Sequence, residues 1–131
     1  MRVLIVEDDF GSRKLAQKLM EEFGHVETAV DGKEALRAFR EAHAEKEPYD
    51  LVLLDIMMPE MDGQEVLKRI RLWEEERGIF GSDAVTILMM TALDDHGTIM
   101  EAFRSQCEGY IVKPVDRAKL MTQLQLLGLL E

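Results

Sequence analysis

The sequence lacks the features that mark secreted, membrane-spanning and nucleic-acid-binding chains. It has one cysteine, which excludes an internal disulfide framework and suits a reducing cytoplasm. No apolar run approaches the ~18 residues that cross a bilayer, and the first run meets an acidic residue too early for a signal peptide. Basic residues are scarce, since 16 Lys and Arg stand against 26 Asp and Glu. Because nucleic-acid backbones require a basic face, we expect a cytoplasmic protein that binds neither membranes nor nucleic acid directly.

Short apolar runs are the clearest pattern in the chain. Its 131 residues, 47% of them hydrophobic, are enough for one folded domain. Runs without polar alternation are typical of strands buried on both faces of a parallel sheet, and they lie at residues 3–6, 51–54, 85–90 and 110–112. A more mixed segment at 25–30 predicts an edge strand.

Apolar residues at helical spacing lie between the predicted strands, so the element order βαβαβαβαβα predicts a parallel sheet covered by helices on both faces. Four aspartates precede these patterns and predict helix N-caps at Asp9, Asp31, Asp62 and Asp116. Asp94 and Asp95 are expected to start the fourth helix. Gly24 is expected to end the first helix, and the run at 73–77 is typical of a solvated helix end.

Reactive side chains follow four of the five predicted strands. Glu7 and Asp8 follow the first, Asp55 the third, Thr91 the fourth and Lys113 the fifth. Ligands of open α/β sheets bind outside the carboxyl ends of the strands, so these groups should share one edge. Several carboxylates in one place repel each other without a cation, and Mg²⁺ prefers such oxygen ligands. An Asp beside Mg²⁺ and Lys is suited to attack phosphorus.

These residues resemble the signature of the receiver domain of two-component response regulators, including chemotaxis regulators. The resemblance rests on four motifs in order: Glu7-Asp8, the sequence DIMMPEMDG at 55–63, Thr91-Ala92, and the sequence GYIVKP at 109–114. It covers nearly the whole chain. It implies one receiver domain over residues 1–131, with a flavodoxin-like (βα)5 doubly wound parallel sheet of strand order 2-1-3-4-5.

The resemblance also implies a role for each matching residue. Asp55 would accept a phosphoryl group from a phosphohistidine. The metal site would use Asp8 and Asp55 directly, Glu7 through a water molecule, and the Met57 backbone carbonyl. The remaining roles are Thr91 as switch hydroxyl, the Ala92 N–H as phosphoryl contact, Lys113 as phosphoryl partner through a cis bond to Pro114, and Tyr110 as aromatic switch. Met57 and Leu93 would influence the phosphoryl lifetime.

The implied partners are a sensor histidine kinase or a histidine phosphotransfer protein. A downstream target, or a second copy of the chain, would dock on the face formed by the fourth helix, fifth strand and fifth helix. The output would be a change of shape, so the chain would be a signalling switch that catalyses only its own phosphorylation and dephosphorylation. A start at Met1 and an end soon after the last helix favour a stand-alone regulator over a receiver from a longer protein.

Two other functions are considered, one that uses similar chemistry and one that uses the same fold. A phosphoaspartate hydrolase needs a second Asp two residues after its nucleophile as acid and base, and Met57 holds that position. A flavin or nucleotide binder would carry a glycine-rich phosphate loop, but neither G-x-G-x-x-G nor G-x-x-x-x-G-K occurs in the sequence. The signalling switch is therefore the favoured interpretation.

Overall fold

A parallel sheet of five strands lies at the centre of the computed structural model, which describes residues 1–92 and 96–130. In chain order the strands are β1 (Arg2–Val6), β2 (His25–Ala29), β3 (Leu51–Asp55), β4 (Thr86–Thr91) and β5 (Gly109–Val112). They are arranged in the order 2-1-3-4-5, and each neighbouring pair is parallel. The predicted topology is confirmed.

Five α-helices alternate with the strands: α1 (Phe10–Met20), α2 (Gly32–Ala44), α3 (Gly63–Glu76), α4 (His96–Arg104) and α5 (Arg117–Leu126). A 3₁₀ turn at Gly81–Asp83 lies between α3 and β4. Buried side chains of α1 and α5 share one apolar cluster, and those of α2, α3 and α4 share another. Within the described residues, no helix has both the length and the apolar character needed to cross a bilayer.

Each central strand contributes side chains to both clusters. In β1, Val3 and Ile5 pack on the α1 side of the sheet, whereas Leu4 and Val6 pack on the α2 side. All four side chains are fully buried. Because successive residues of a strand point to opposite faces, a strand covered on both sides needs apolar residues at every position. This explains the unbroken apolar runs in the sequence.

The predicted N-caps are confirmed at all four aspartates. Each carboxylate accepts a hydrogen bond from the backbone N–H three residues later, at distances of 2.7–3.0 Å. The bonds join Asp9 to Ser12, Asp31 to Glu34, Asp62 to Glu65 and Asp116 to Lys119. These bonds satisfy backbone donors that the first helical turn leaves unpaired. The predicted start of α4 at Asp94 and Asp95 lies outside the described residues.

The predicted end of α1 at Gly24 is wrong, because the helix ends at Met20. Gly24 lies against the first residue of the chain instead. A Cβ atom at this position would lie 2.1 Å from the carbonyl oxygen of Met1. The absence of a side chain therefore permits a close backbone approach beside β2.

The run at 73–77 is not simply a solvated helix end. Glu74 is buried, with 2% of its surface exposed. One of its carboxylate oxygens accepts a hydrogen bond from Arg71 Nη1 at 2.7 Å, and the other accepts one from the Val85 N–H at 2.8 Å. Glu74 therefore joins the end of α3 to the residue before β4.

Arg71 is the centre of a network that runs from buried Glu74 to exposed Glu108. Besides Glu74, its guanidinium donates to the carbonyl oxygens of Val85 and Gln106 and to both carboxylate oxygens of Glu108, at 2.7–2.9 Å. Glu108 also accepts a hydrogen bond from the Ile87 N–H. The network ties α3 to the beginning of β4 and to the turn that leads into β5.

Removing Arg71 should strongly destabilise the fold. Arg71→Met leaves the Glu74 carboxylate buried without its cation, and breaking a buried pair in this way costs about 3–5 kcal/mol of unfolding free energy. Arg69→Met is the matched control, because Arg69 makes a half-exposed pair with Glu65 on the same helix, worth about 0.3–0.5 kcal/mol. Urea denaturation measures both. Equal losses in the two variants would contradict the assigned role.

Candidate functional site

Three carboxylates meet at the carboxyl edge of the sheet. Glu7 and Asp8 follow β1, and Asp55 is the last residue of the neighbouring strand β3. One oxygen from each side chain lies within 4.8 Å of an oxygen from each of the others. Glu7 and Asp55 are buried, with 0% and 2% exposed, whereas Asp8 is exposed. The sheet order brings the predicted acidic residues together.

Lys113, the residue that follows β5, completes the cluster. Its ammonium contacts Glu7 Oε1 and lies 3.2 Å from Asp55 Oδ1. Its backbone N–H donates to the Thr91 carbonyl oxygen at 2.7 Å, which fixes the start of the loop beside β4. The bond from Lys113 to Pro114 is cis, as predicted. The predicted association of Lys113 with the acidic residues is confirmed.

The pKa values of Glu7 and Lys113 are shifted by burial and by the charges of their neighbours. Burial raises the pKa of Glu7, and the adjacent Asp55 raises it further, against the opposing effect of Lys113. Burial alone would lower the pKa of Lys113, but Glu7 and Asp55 outweigh it, so that this pKa is raised. With every group ionised, three carboxylates and one ammonium leave two negative charges, which one divalent cation would neutralise.

The donor set fits Mg²⁺. It contains only oxygen ligands, and Mg²⁺ is commonly bound by one or two carboxylates while it keeps several water molecules. Exposed Asp8 and buried Asp55 could bind the ion directly, and Glu7, already paired with Lys113, could reach it through a water molecule. The predicted use of the Met57 carbonyl oxygen stays a prediction. The Met57 N–H donates to Asp55 Oδ1 at 3.3 Å, and the Met57 side chain is 60% exposed.

Gly63 lets the first turn of α3 pack against the end of β3. A Cβ atom on Gly63 would lie 2.2 Å from the Asp55 carbonyl oxygen and 2.8 Å from the Ile56 Cα. The Gly63 N–H also donates to the Ile56 carbonyl oxygen at 2.9 Å. The Asp-Gly pair at 62–63 therefore caps α3 and holds the backbone of Asp55 in position.

The predicted switch residues occupy the two strands beside the acidic cluster. Thr91 is buried at the last position of β4, and Ala92 follows it as an exposed residue. Tyr110 is half-buried in β5, where its ring packs edge-to-face on Phe103 of α4 with centroids 6.2 Å apart. Their roles as switch hydroxyl, phosphoryl contact and aromatic switch stay predictions. Leu93 lies outside the described residues.

Sequence reasoning missed Gln64. This side chain is 7% exposed and donates from Nε2 to the Thr98 carbonyl oxygen at 2.8 Å. Gln64 follows Gly63 directly, so it connects the segment that supports Asp55 to the first half of α4. Its own carbonyl oxygen is buried and accepts no hydrogen bond from the described residues. The sequence offered one signal, a polar residue three positions before Leu67 on the buried face of α3.

The chain resembles proteins of one large family. A family model described as the response regulator receiver domain matches residues 3–125. The transcriptional regulatory protein ZraR of Klebsiella oxytoca is 36% identical over 123 residues, which cover 93% of this chain and 25% of that protein. The chain spans a quarter to about half of the length of the curated relatives it matches first.

Solved structures agree with this similarity. Chemotaxis protein CheY4 of Vibrio cholerae is 31% identical with a TM-score of 0.77, over 95% of this chain and 96% of that one. The receiver domain of the histidine kinase CKI1 from Arabidopsis thaliana, complexed with Mg²⁺, is 29% identical with a TM-score of 0.84, over 96% and 90% of the two chains.

Magnesium should stabilise the folded chain through Asp8. A ligand bound only by the folded state adds about 2.7 kcal/mol at a concentration 100 times its Kd, so Mg²⁺ should raise the melting temperature. Asp8→Asn should lose most of this shift. Asp9→Asn is the control, since it removes a neighbouring charge and asparagine still caps α1. Thermal melts with Mg²⁺ and with chelator test this. No shift in the wild type, or equal shifts in both variants, would contradict it.

Proposed function

The chain belongs to the response regulator receiver domain family, and on that premise we propose that Asp55 accepts a phosphoryl group from a phosphohistidine. Receiver domains are the signalling switches of two-component and phosphorelay systems. One observation carries the assignment to Asp55: it is the buried carboxylate that both the Lys113 ammonium and the Glu7–Asp8 pair approach. We also infer that residues 1–131 form one such domain.

The proposed step is an in-line displacement at phosphorus. A carboxylate oxygen of Asp55 forms a bond to phosphorus while the phosphorus–nitrogen bond to the donor imidazole breaks and the imidazole departs with the electron pair. The Met57 N–H and the Lys113 ammonium both approach Asp55 Oδ1, which orients the carboxylate plane before the reaction. This orientation lowers the entropic part of the barrier.

Other residues would stabilise the phosphoryl oxygens. The Lys113 ammonium lies close enough to exchange its contact with Asp55 for one with a phosphoryl oxygen, and the Thr91 hydroxyl and Ala92 N–H would contact the others at the end of β4. Mg²⁺ held by Asp8, Asp55, the Met57 carbonyl oxygen and, through water, Glu7 would supply additional positive charge as the phosphoryl group transfers.

The switch would act through the surface formed by α4, β5 and α5. Movement of Thr91 towards the phosphoryl group would leave room for Tyr110 to turn inward, away from its edge-to-face contact with Phe103. The same surface exposes apolar side chains at Met100, Phe103 and Leu126, which suit a downstream target or a second copy of the chain. The phosphoryl donor would be a sensor histidine kinase or a histidine phosphotransfer protein.

Asp55 should be the aspartate that receives the phosphoryl group. Incubation with Mg²⁺ and acetyl phosphate or phosphoramidate should add one phosphoryl group to the wild type, as measured by intact mass, and none to Asp55→Asn. Asp83→Asn is the matched control, because Asp83 is exposed in the 3₁₀ turn before β4, at the opposite end of that strand from Thr91. An equal adduct on Asp55→Asn would reject the assignment.

The same protein should not turn over phosphoesters. A phosphoaspartate hydrolase needs a proton donor two residues after its nucleophile, and Met57 supplies none at that position. Sustained phosphate release from a small phosphoester would therefore favour the hydrolase over the switch.

Phosphorylation should change the exposure of the α4-β5-α5 surface through Thr91. Couplings of this kind are typically about 1–3 kcal/mol, or a 5- to 150-fold shift in population, so amide hydrogen exchange at 96–104 and 109–112 should differ between free and phosphorylated protein. Thr91→Ala should still accept the phosphoryl group but show a much smaller change. The same change in both proteins would contradict a role for the Thr91 hydroxyl.

A further inference from the structure

A basic groove runs between α2 and α3. Its lining includes Lys33, Arg37 and Arg40 from α2, Arg69 from α3, and the apolar side chains of Leu36 and Met61. We refer to these six residues as the α2–α3 groove. The three α2 cations are spaced by four and three residues, so they lie on one face of the helix. Glu41 shares the lining, and the adjoining recess, which also contains Lys33 and Met61, is lined by Asp31, Glu60 and Glu65. The unpaired positive charge of the groove therefore lies mainly at Arg37 and Arg40.

The three cationic side chains of α2 have no charged or hydrogen-bonded partner among the described residues. Lys33, Arg37 and Arg40 are exposed, and none of them makes an ion pair or side-chain hydrogen bond with another described residue. Arg69, across the groove, is paired with Glu65 at 2.8 Å. The guanidinium and ammonium groups of α2 are therefore free to bind a group from outside the chain.

The floor of the groove is apolar. Leu36 is 6% exposed and belongs to the core, and Met61 is half-buried against it. The Met61 side chain packs on Gly32, where a Cβ atom would lie 2.8 Å from the Met61 sulfur. A ligand in the groove would thus contact the Met61 thioether and the Leu36 side chain at the floor, and the α2 cations along one side.

The net negative charge of the chain favours an acidic ligand at this groove over other parts of the surface. With a formal net charge of −10, most of the surface repels an anionic partner, so an acidic segment would be attracted to the place where unpaired cations gather. Three cations on one helix suit a short acidic segment better than a nucleic-acid backbone, whose binding requires an extended basic face. The apolar floor suits a segment that also carries an aliphatic side chain.

We propose that the α2–α3 groove is a docking site for an acidic protein segment with interspersed aliphatic residues, held by Lys33, Arg37 and Arg40 over Leu36 and Met61. This site is separate from the chemistry of Asp55 and from the α4-β5-α5 surface. It would give the chain a second recognition surface that does not depend on phosphorylation.

Fluorescence anisotropy with a labelled glutamate–leucine peptide tests the proposal. The full chain should bind this peptide more tightly than a glutamate–serine peptide of equal charge. Arg37→Glu/Arg40→Glu should weaken binding about tenfold, because two attractive contacts become repulsive. Lys14→Glu/Lys18→Glu is the control: it makes the same change in net charge on exposed residues of α1 and should weaken binding far less.

Several results would overturn the proposal. Equal losses of affinity in the two double variants would show that binding responds to the net charge of the chain and not to the groove. Equal affinity for the serine peptide would show that Leu36 and Met61 do not contribute to binding. If the wild type bound single-stranded DNA more tightly than the glutamate–leucine peptide, and Arg37→Glu/Arg40→Glu lost this binding, the groove would be assigned to nucleic acid. Self-association of the wild type that the groove variant abolishes would assign it to a second copy. Phosphorylation of Asp55 in each variant, measured by mass, shows that the folds are intact and separates this test from that of the phosphoacceptor.

Discussion

The contact of one ammonium with two buried carboxylates sets the arrangement of the sheet edge. Glu7 follows β1 and Asp55 ends the neighbouring strand β3, so the two carboxylates would repel each other in the interior without a nearby cation. Lys113 supplies that cation from the position just after β5, a strand that is separated from β3 by β4. Two strand spacings amount to roughly 10 Å, a distance that calls for a long, extended side chain. The loop after β5 must therefore begin at a position from which the Lys113 ammonium can reach both carboxylates. The hydrogen bond from the Lys113 N–H to the Thr91 carbonyl oxygen fixes this position.

Much of this edge could be predicted because its determinants lie close together in the chain. The apolar runs fix where each strand ends, and parallel pairing then places Asp8, Asp55 and Lys113 on one edge whatever the helices do. The aspartate caps follow from bonds over three residues. The network around Arg71 could not be predicted in this way. Glu74 is one of three consecutive glutamates, and its buried carboxylate is paired by Arg71 and by the Val85 N–H, which lies 11 residues beyond Glu74.

Side chains of α3 contact α4 and the turn that follows it at several levels. The Gln64 side chain donates to the Thr98 carbonyl oxygen in the first half of α4, and the Lys68 ammonium pairs with Glu101 further along the helix at 3.1 Å. The Arg71 guanidinium donates to a carbonyl oxygen in the turn after α4. Because a hydrogen bond from an ionised donor is roughly twice as strong as a neutral one, Arg71 holds this turn firmly to α3. A displacement of α4 that keeps the Arg71 contacts would be largest in its first half.

The alternation of strand and helix has an electrostatic consequence for this acidic chain. Helices α1, α2, α3 and α5 each begin just after a strand ends, so their amino termini gather at the edge that holds Glu7, Asp8 and Asp55. Each terminus carries about half a positive charge from its aligned peptide dipoles. The backbone therefore offsets part of the negative potential at that edge, and substitution of side chains cannot remove this contribution. The opposite ends of the helices carry the complementary negative charge towards the edge where the Arg71 guanidinium is buried.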